Sequence, residues 1–135
     1  MKITLCGSAR FENWFRHWDE KLTLAGHVVY NLAIYPRDKG GTKDWYDQDT
    51  KTILDLIHMI KIEESDGVLV INPRNYIGES TSREILWARL RDKPVYFTDV
   101  DEHPRDLSAK YLLTYGSPFF VPSGDDDDDS PVEYS

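Results

Sequence analysis

The chain has a single cysteine among its 135 residues, so no internal disulfide can form and a packed core has to hold the fold. No apolar run approaches the roughly twenty residues of a membrane span. Met1-Lys-Ile-Thr-Leu-Cys6 is too short and too polar to open a secretion signal, so a soluble, cytoplasmic protein with no membrane partner is expected. Neither G-x-x-x-x-G-K-[ST] nor G-x-G-x-x-G occurs, which removes the P-loop and the dinucleotide fingerprint. Internal repeats are absent. A basic stripe is missing too: 16 Lys and Arg face 24 Asp and Glu, for a net charge of −8. Such a chain repels a phosphate backbone, which argues against nucleic acid as the main ligand. A single nucleotide remains open, because one arginine or one helix N-terminus can bind one phosphate.

Asp125 to Asp129 and Glu133 supply six of the negative charges, and without them the balance is −2. Residues 124–135 therefore read as a solvated, disordered acidic tail. Residues 1–123 make one domain, whose core is within reach of a chain that is 40% hydrophobic and 13% aromatic.

Within that domain, Lys2 to Gly7 reads as a strand and Gly7-Ser-Ala-Arg10 as the turn leaving it. Phe11, Trp14, Phe15, Trp18, Leu22 and Ala25 recur at helical spacing up to Gly26, a stop signal. Trp14 and Trp18 are core candidates. His27 to Ile34 is a second strand, followed by a polar loop from Tyr35 to Asp44 that is suited to act as a lid. Trp45 to Glu64, with Ile53, Leu54, Leu56, Ile57, Ile60 and Ile62, is too apolar for a surface helix and suits one packed against a sheet. Gly67-Val-Leu-Val-Ile71 has the signature of a strand buried on both faces, and a helix carrying Ile85-Leu-Trp-Ala88 follows it. Lys93 to Thr98 is a fourth strand, Pro104 to Leu113 a further helix, and Ser117 to Pro122 a short last strand. This alternation predicts a three-layer α/β fold, a mostly parallel sheet of four to five strands with helices on both faces.

Three loops should converge at the carboxyl edge of such a sheet: Gly7 to Arg10, Tyr35 to Asp44, and Asn72 to Thr81. Gly7, Ser8 and Arg10 offer a close-approach glycine, a hydroxyl and a guanidinium to sugar or phosphate oxygens. Asp66 precedes its strand and belongs to the opposite edge, with a structural role. Cys6 reads as a small buried hydrophobe. The loop after the third strand delivers Glu84 onto the first turn of a helix. Thr81-Ser-Arg-Glu84 has capping-box spacing as well, so a helix-start role for Glu84 stands beside a catalytic one.

Leu5-Cys-Gly-Ser-Ala-Arg10, Ser65-Asp-Gly-Val-Leu-Val-Ile-Asn72 and Gly78-Glu-Ser-Thr-Ser-Arg-Glu-Ile-Leu-Trp-Ala88 together resemble the nucleoside 2-deoxyribosyltransferase-like superfamily, which includes the deoxynucleoside 5′-monophosphate N-glycosidases. The likeness covers roughly residues 1–98. Nearest in appearance is a branch with an L-H-x-x-K-I-x-x-x-D segment, a Y-I-G-E-S-T turn and an R-E-I helix, here Ile57 to Asp66 and Tyr76 to Ile85. The resemblance implies a flavodoxin-like sheet and a helix-borne glutamate, Glu84, that attacks C1′ of a nucleoside sugar and expels the base. It implies that Gly78, Ser80 and Thr81 hold a 5′-phosphate. With Gly7, Ser8, Arg10, Asn72 and Tyr76 they make up the expected substrate-binding set. Transferases of this superfamily carry an aspartate six residues before the nucleophile, and Gly78 stands there instead. His58 occupies approximately the place of a superfamily acid, with Asp55 one turn earlier. It is taken either as a proton-transfer group or as a helix-face residue bonded to backbone.

The expected activity is hydrolysis of a nucleoside 5′-monophosphate to free base and sugar phosphate, without metal or other cofactor. The alternatives are a base-exchanging deoxyribosyltransferase and a non-catalytic nucleotide-binding or sensor protein. Members of the superfamily generally assemble, so a homo-oligomer is expected, with Trp87, Tyr111, Tyr115, Phe119 and Phe120 as interface candidates.

Overall fold

The structure, a computed structural model, describes residues 1–35, 48–99 and 107–114. Five parallel strands, β1 (Lys2–Gly7), β2 (Val28–Tyr30), β3 (Gly67–Ile71), β4 (Val95–Phe97) and β5 (Leu107–Ser108), form one sheet in the order β2-β1-β3-β4-β5. Among the described residues four α-helices accompany them: α1 (Glu12–Leu24), α2 (Gln48–Glu64), α3 (Glu79–Leu90) and α4 (Ala109–Thr114). This is the three-layer, flavodoxin-like α/β architecture. The strand order reverses at the β1/β3 boundary, which is where α/β sheets open a ligand crevice at their carboxyl edge.

Period-two alternation splits the core. Ile3, Leu5, Leu69, Ile71 and Tyr96 face α1 and α4, where Phe15, Trp18, Leu22 and Leu112 meet them. Cys6, Val68, Val70, Val95 and Phe97 face α2 and α3 through Ile62, Ile85 and Ala88. Both faces of β3 are buried, as its uninterrupted apolar run requires. Trp14 packs against the first cluster and Trp18 lies inside it.

Gly26 ends α1 as the sequence indicates. At φ +96° it takes the left-handed conformation, while its N–H reaches the Thr23 carbonyl (3.0 Å) and the His27 N–H reaches that of Leu22 (3.0 Å). These two bonds define a Schellman stop. Asp66 sits at the amino edge, its carboxylate accepting the Lys2 N–H at 2.7 Å.

Several expectations change. The β2 strand is three residues long rather than eight, and Tyr35 turns into the core instead of opening a loop. The segment read as a helix from Pro104 yields β5 before α4 begins at Ala109. The remainder of the proposed lid, residues 36–44, lies outside the described residues, as do the last strand and the acidic tail. The largest departure concerns α2. Only His58 and Ile62 of this helix are buried, while Ile53, Leu56, Ile57 and Ile60 are 60%, 59%, 44% and 40% exposed. Its apolar density covers two faces, and the sheet takes one.

Candidate active site

The deciding geometry is where α3 starts. Its N-cap is Gly78 and its first helical residue is Glu79, so Thr81 is the third residue inside the helix and Glu84 lies in the second turn, not the first. A capping box needs its Thr at the N-cap position, and that reading of Glu84 therefore falls. Thr81, Ile85 and Ala88 form the buried stripe of the helix. Glu84 flanks it, its side chain 16% exposed, and is directed at the layer beneath α2.

Three chemically distinct groups meet there. Cys6, one residue before the end of β1, brings its thiol to 3.5 Å from Nε2 of His58 on α2. The same Nε2 is 3.2 Å from Oε2 of Glu84, and one ligand atom from each side chain lies within 4.8 Å of the others. The His58–Glu84 approach is at ion-pair distance, yet Oε2 is buried without a hydrogen-bond partner. Ring and carboxylate thus meet at the wrong angle for a hydrogen bond. His58 is buried beside β1 because α2 turns the His58/Ile62 pair, one helical turn apart, onto the sheet. Burial first, and then the adjacent Glu84 carboxylate, push the Cys6 thiol pKa well above its ordinary value. The thiol stays protonated and is no nucleophile.

The loops after β1 and β3 close over the same edge. Gly7 has φ +151°, and a Cβ there would fall 2.8 Å from the Ile71 carbonyl oxygen, so this glycine lets the two central strands exit side by side. The Arg10 guanidinium lies 4.1 Å over the Tyr76 ring and 4.8 Å over that of Phe11, and the two rings meet edge to face at 5.9 Å. These cation–π contacts hold the guanidinium beside the exits of β1 and β3. Ser8 precedes the 3-10 turn Ala9–Phe11, and its hydroxyl makes no capping bond. Ser80 is exposed on the first turn of α3 whereas Thr81 is buried, so Thr81 offers a ligand its backbone rather than its hydroxyl.

Asn72 does not present a free amide. Its Nδ2 donates to the Asp99 carbonyl (2.7 Å) and to Asn75 Oδ1 (3.2 Å). Its Oδ1 accepts from Thr98 Oγ1 (3.0 Å) and the Asp99 N–H (2.9 Å). That exhausts a primary amide, and the residue is fully buried. Asn72 therefore ties the exits of β3 and β4 together, and it holds Asn75, which with Arg74 has positive φ (61° and 55°). Gly78 has room: a Cβ there would be 3.5 Å from the Tyr76 hydroxyl oxygen, ordinary contact.

Sequence reasoning missed the role of Cys6 as a neighbour of His58 and the Arg10–Phe11–Tyr76 stack. The available signal for the first was strand alternation, which puts Thr4 and Cys6 on the α2 face. Trp87 is no bare interface residue: it packs against the second core cluster with the Arg91 guanidinium 3.2 Å over its ring. The Tyr111 side chain, Tyr115, Phe119 and Phe120 lie outside what is described.

No protein-family model and no curated protein matches the chain. Among solved structures it is similar to the 2-deoxyribosyltransferase of the psychrotolerant bacterium Bacillus psychrosaccharolyticus, with 19% identity over 72% of this chain and 71% of that one and a TM-score of 0.50. The two chains share a fold. No helix among the described residues is long and apolar enough to cross a membrane.

Proposed function

We propose that the protein is an N-glycosidase that releases the base from a nucleoside 5′-monophosphate, with Glu84 as the nucleophile. The observation that carries this reading is the Glu84 carboxylate. It lies in the second turn of α3 with an oxygen free of hydrogen bonds and a histidine nitrogen 3.2 Å away, on the α2/α3 side of the β1/β3 boundary. In the reaction, a carboxylate oxygen bonds C1′ as the C1′–N bond breaks, and the bonding pair leaves with the base. Water then cleaves the glycosyl ester to free sugar phosphate. His58, 3.2 Å from Glu84, is the group at hand to pass a proton to the departing base or from the attacking water.

Phosphate binding is assigned to the start of α3 and the turn after β1. Ser82 N–H makes the first helical bond, to the Gly78 carbonyl (2.9 Å), and no side chain caps the helix. The N–H groups of Glu79, Ser80 and Thr81 thus have no intrahelical partner. Ser8, Ser80 and the Arg10 guanidinium complete the grip.

Incubation with a panel of ribo- and deoxyribonucleotides, followed by chromatography for free base, tests the proposal, and no release from any member would sink it. Base exchange is a second reading, favoured by the similar fold of a 2-deoxyribosyltransferase and disfavoured by Gly78 in place of the aspartate. Adding a second free base and looking for a new nucleoside separates the two. Binding of nucleotide in calorimetry without its consumption would indicate the sensor alternative.

The assembly we propose is a dimer through α2. Ile53, Leu56, Ile57 and Ile60 form an exposed stripe whose spacing, three, one, three, reads the same in both directions. A two-fold axis across Leu56 and Ile57 would set Ile53 against Ile60 of an antiparallel copy, the self-complementarity that an isologous interface needs.

A further inference from the structure

We propose that Cys6, His58 and Glu84 form a three-ligand site for zinc, and that zinc bound there silences the glutamate. The site itself is argued from geometry alone, whereas the silencing rests on the reading of Glu84 as nucleophile. The donors are of the kinds that protein zinc sites use: one sulfur, one imidazole nitrogen and one carboxylate oxygen. Two of their three separations also match a tetrahedral ion. With bond lengths near 2.3, 2.05 and 2.0 Å, a tetrahedral zinc separates its sulfur and nitrogen ligands by about 3.6 Å and its nitrogen and oxygen ligands by about 3.3 Å. The corresponding separations are 3.5 Å for Cys6 Sγ to His58 Nε2 and 3.2 Å for His58 Nε2 to Glu84 Oε2. All three atoms fall within 4.8 Å of one another.

A second observation points the same way. Glu84 Oε2 is buried and makes no hydrogen bond to the His58 ring beside it, which leaves a lone pair that a cation bridging the two would take. A thiolate, a carboxylate and a neutral imidazole balance the charge of a dication, and the thiol proton leaves to solvent on binding. The ligands come from β1, α2 and α3, the first two 52 positions apart in the chain, so no local spacing motif announces them. With both its charge and its lone pair engaged, Glu84 no longer attacks C1′.

Cobalt(II) is the probe, because a thiolate-to-cobalt charge-transfer band reports sulfur ligation directly and Cys6 is the only cysteine in the chain. The Asp125 to Asp129 run cannot produce that band. Titration of the purified chain should develop the band to one equivalent, and zinc should bleach it by displacement. Cys6→Ser should abolish the band. Glu84→Gln, on a partly exposed side chain that leaves the core intact, should weaken binding by more than the roughly 10–100-fold typical of losing a supporting hydrogen bond. Base release should fall as zinc is added and return with chelator. No charge-transfer band in the wild type, or a band with unchanged affinity in Glu84→Gln, would overturn the site. A band without base release from any nucleotide would leave the site standing and remove the glycosidase reading. Base release indifferent to saturating zinc would overturn the silencing.

Discussion

Asn72 and Glu84 were both offered by the sequence for the site, and the structure uses them differently: the Asn72 amide is bonded into the fold, whereas Glu84 Oε2 makes no hydrogen bond to the His58 ring beside it. Both lie on the stretch leaving β3, and both are polar residues beside apolar runs. Sequence spacing could not say which side chain was spent on the fold, because that depends on Thr98 and Asp99, 26 and 27 residues away. Asn72→Ala should remove the partner of the Asp99 N–H and carbonyl and of the Thr98 hydroxyl, and because Asp99 is exposed water replaces part of that bonding, for a cost of about 1–3 kcal/mol. A lowered urea midpoint with an unchanged slope would record it, and a loss under about 0.5 kcal/mol would mean that the network is incidental. For Glu84 the ambiguity was one of register: T-S-R-E fits a capping box wherever a helix begins at Thr81, and only the helix start at Glu79 decides against it. His58 was visible as a titratable group on an apolar helix. Its pairing with Cys6 was not, since it joins β1 to α2.

At the scale of elements, strands that must be buried on both faces were legible and helix chemistry was less so. The ends of β1, the stop at Gly26 and the β3 run follow from composition alone, whereas the two residues of β5 carry too little pattern to be seen. Helix α3 offers a direct test of the phosphate assignment. Gly78→Asp fits sterically and supplies the side-chain cap that the helix lacks, which should raise stability by a few tenths of a kcal/mol. The new carboxylate would also occupy the N–H groups assigned to phosphate and repel an anion. Michaelis constants should rise for nucleoside 5′-monophosphates much more than for nucleosides, and equal effects on both would remove the phosphate from this helix end. If the missing aspartate is what withholds base exchange, the same variant should begin to make new nucleoside from a second base.

For the molecule as a whole, the apolar excess of α2 was legible as composition, but the sheet to which it was assigned takes only the His58/Ile62 face and leaves Ile53, Leu56, Ile57 and Ile60 exposed. The wild type should scatter light at micromolar concentration as twice the single-chain 15.7 kDa. Leu56→Glu, a change at a residue 59% exposed, should give the single-chain mass with an unchanged far-ultraviolet circular dichroism spectrum and a melting temperature no longer dependent on protein concentration. A wild-type monomer would refute the dimer. A separate pH dependence is built into the junction of Met1, His27 and α4. The Met1 ammonium can only donate, so His27 Nδ1 accepts from it (3.2 Å) and Nε2–H donates to the Leu112 carbonyl (3.3 Å). Burial, and next the ammonium charge, lower the His27 pKa from 6.5. Below that value the unfolded chain takes up the proton that the folded one resists. The His27 contribution is therefore complete above pH 6.5 and declines as pH falls through the lower native value. Between about pH 7.5 and 5.5 the wild type should lose more stability than His27→Gln, and parallel losses would exclude this histidine.

The account stands on Glu84 as a nucleophile. Its most direct test is free base released from the best nucleotide by the wild type and by Glu84→Gln at matched concentration, with melting temperatures measured alongside. The account predicts a variant that melts like the wild type and releases base at least about a thousandfold more slowly. A folded Glu84→Gln protein with undiminished release would contradict it.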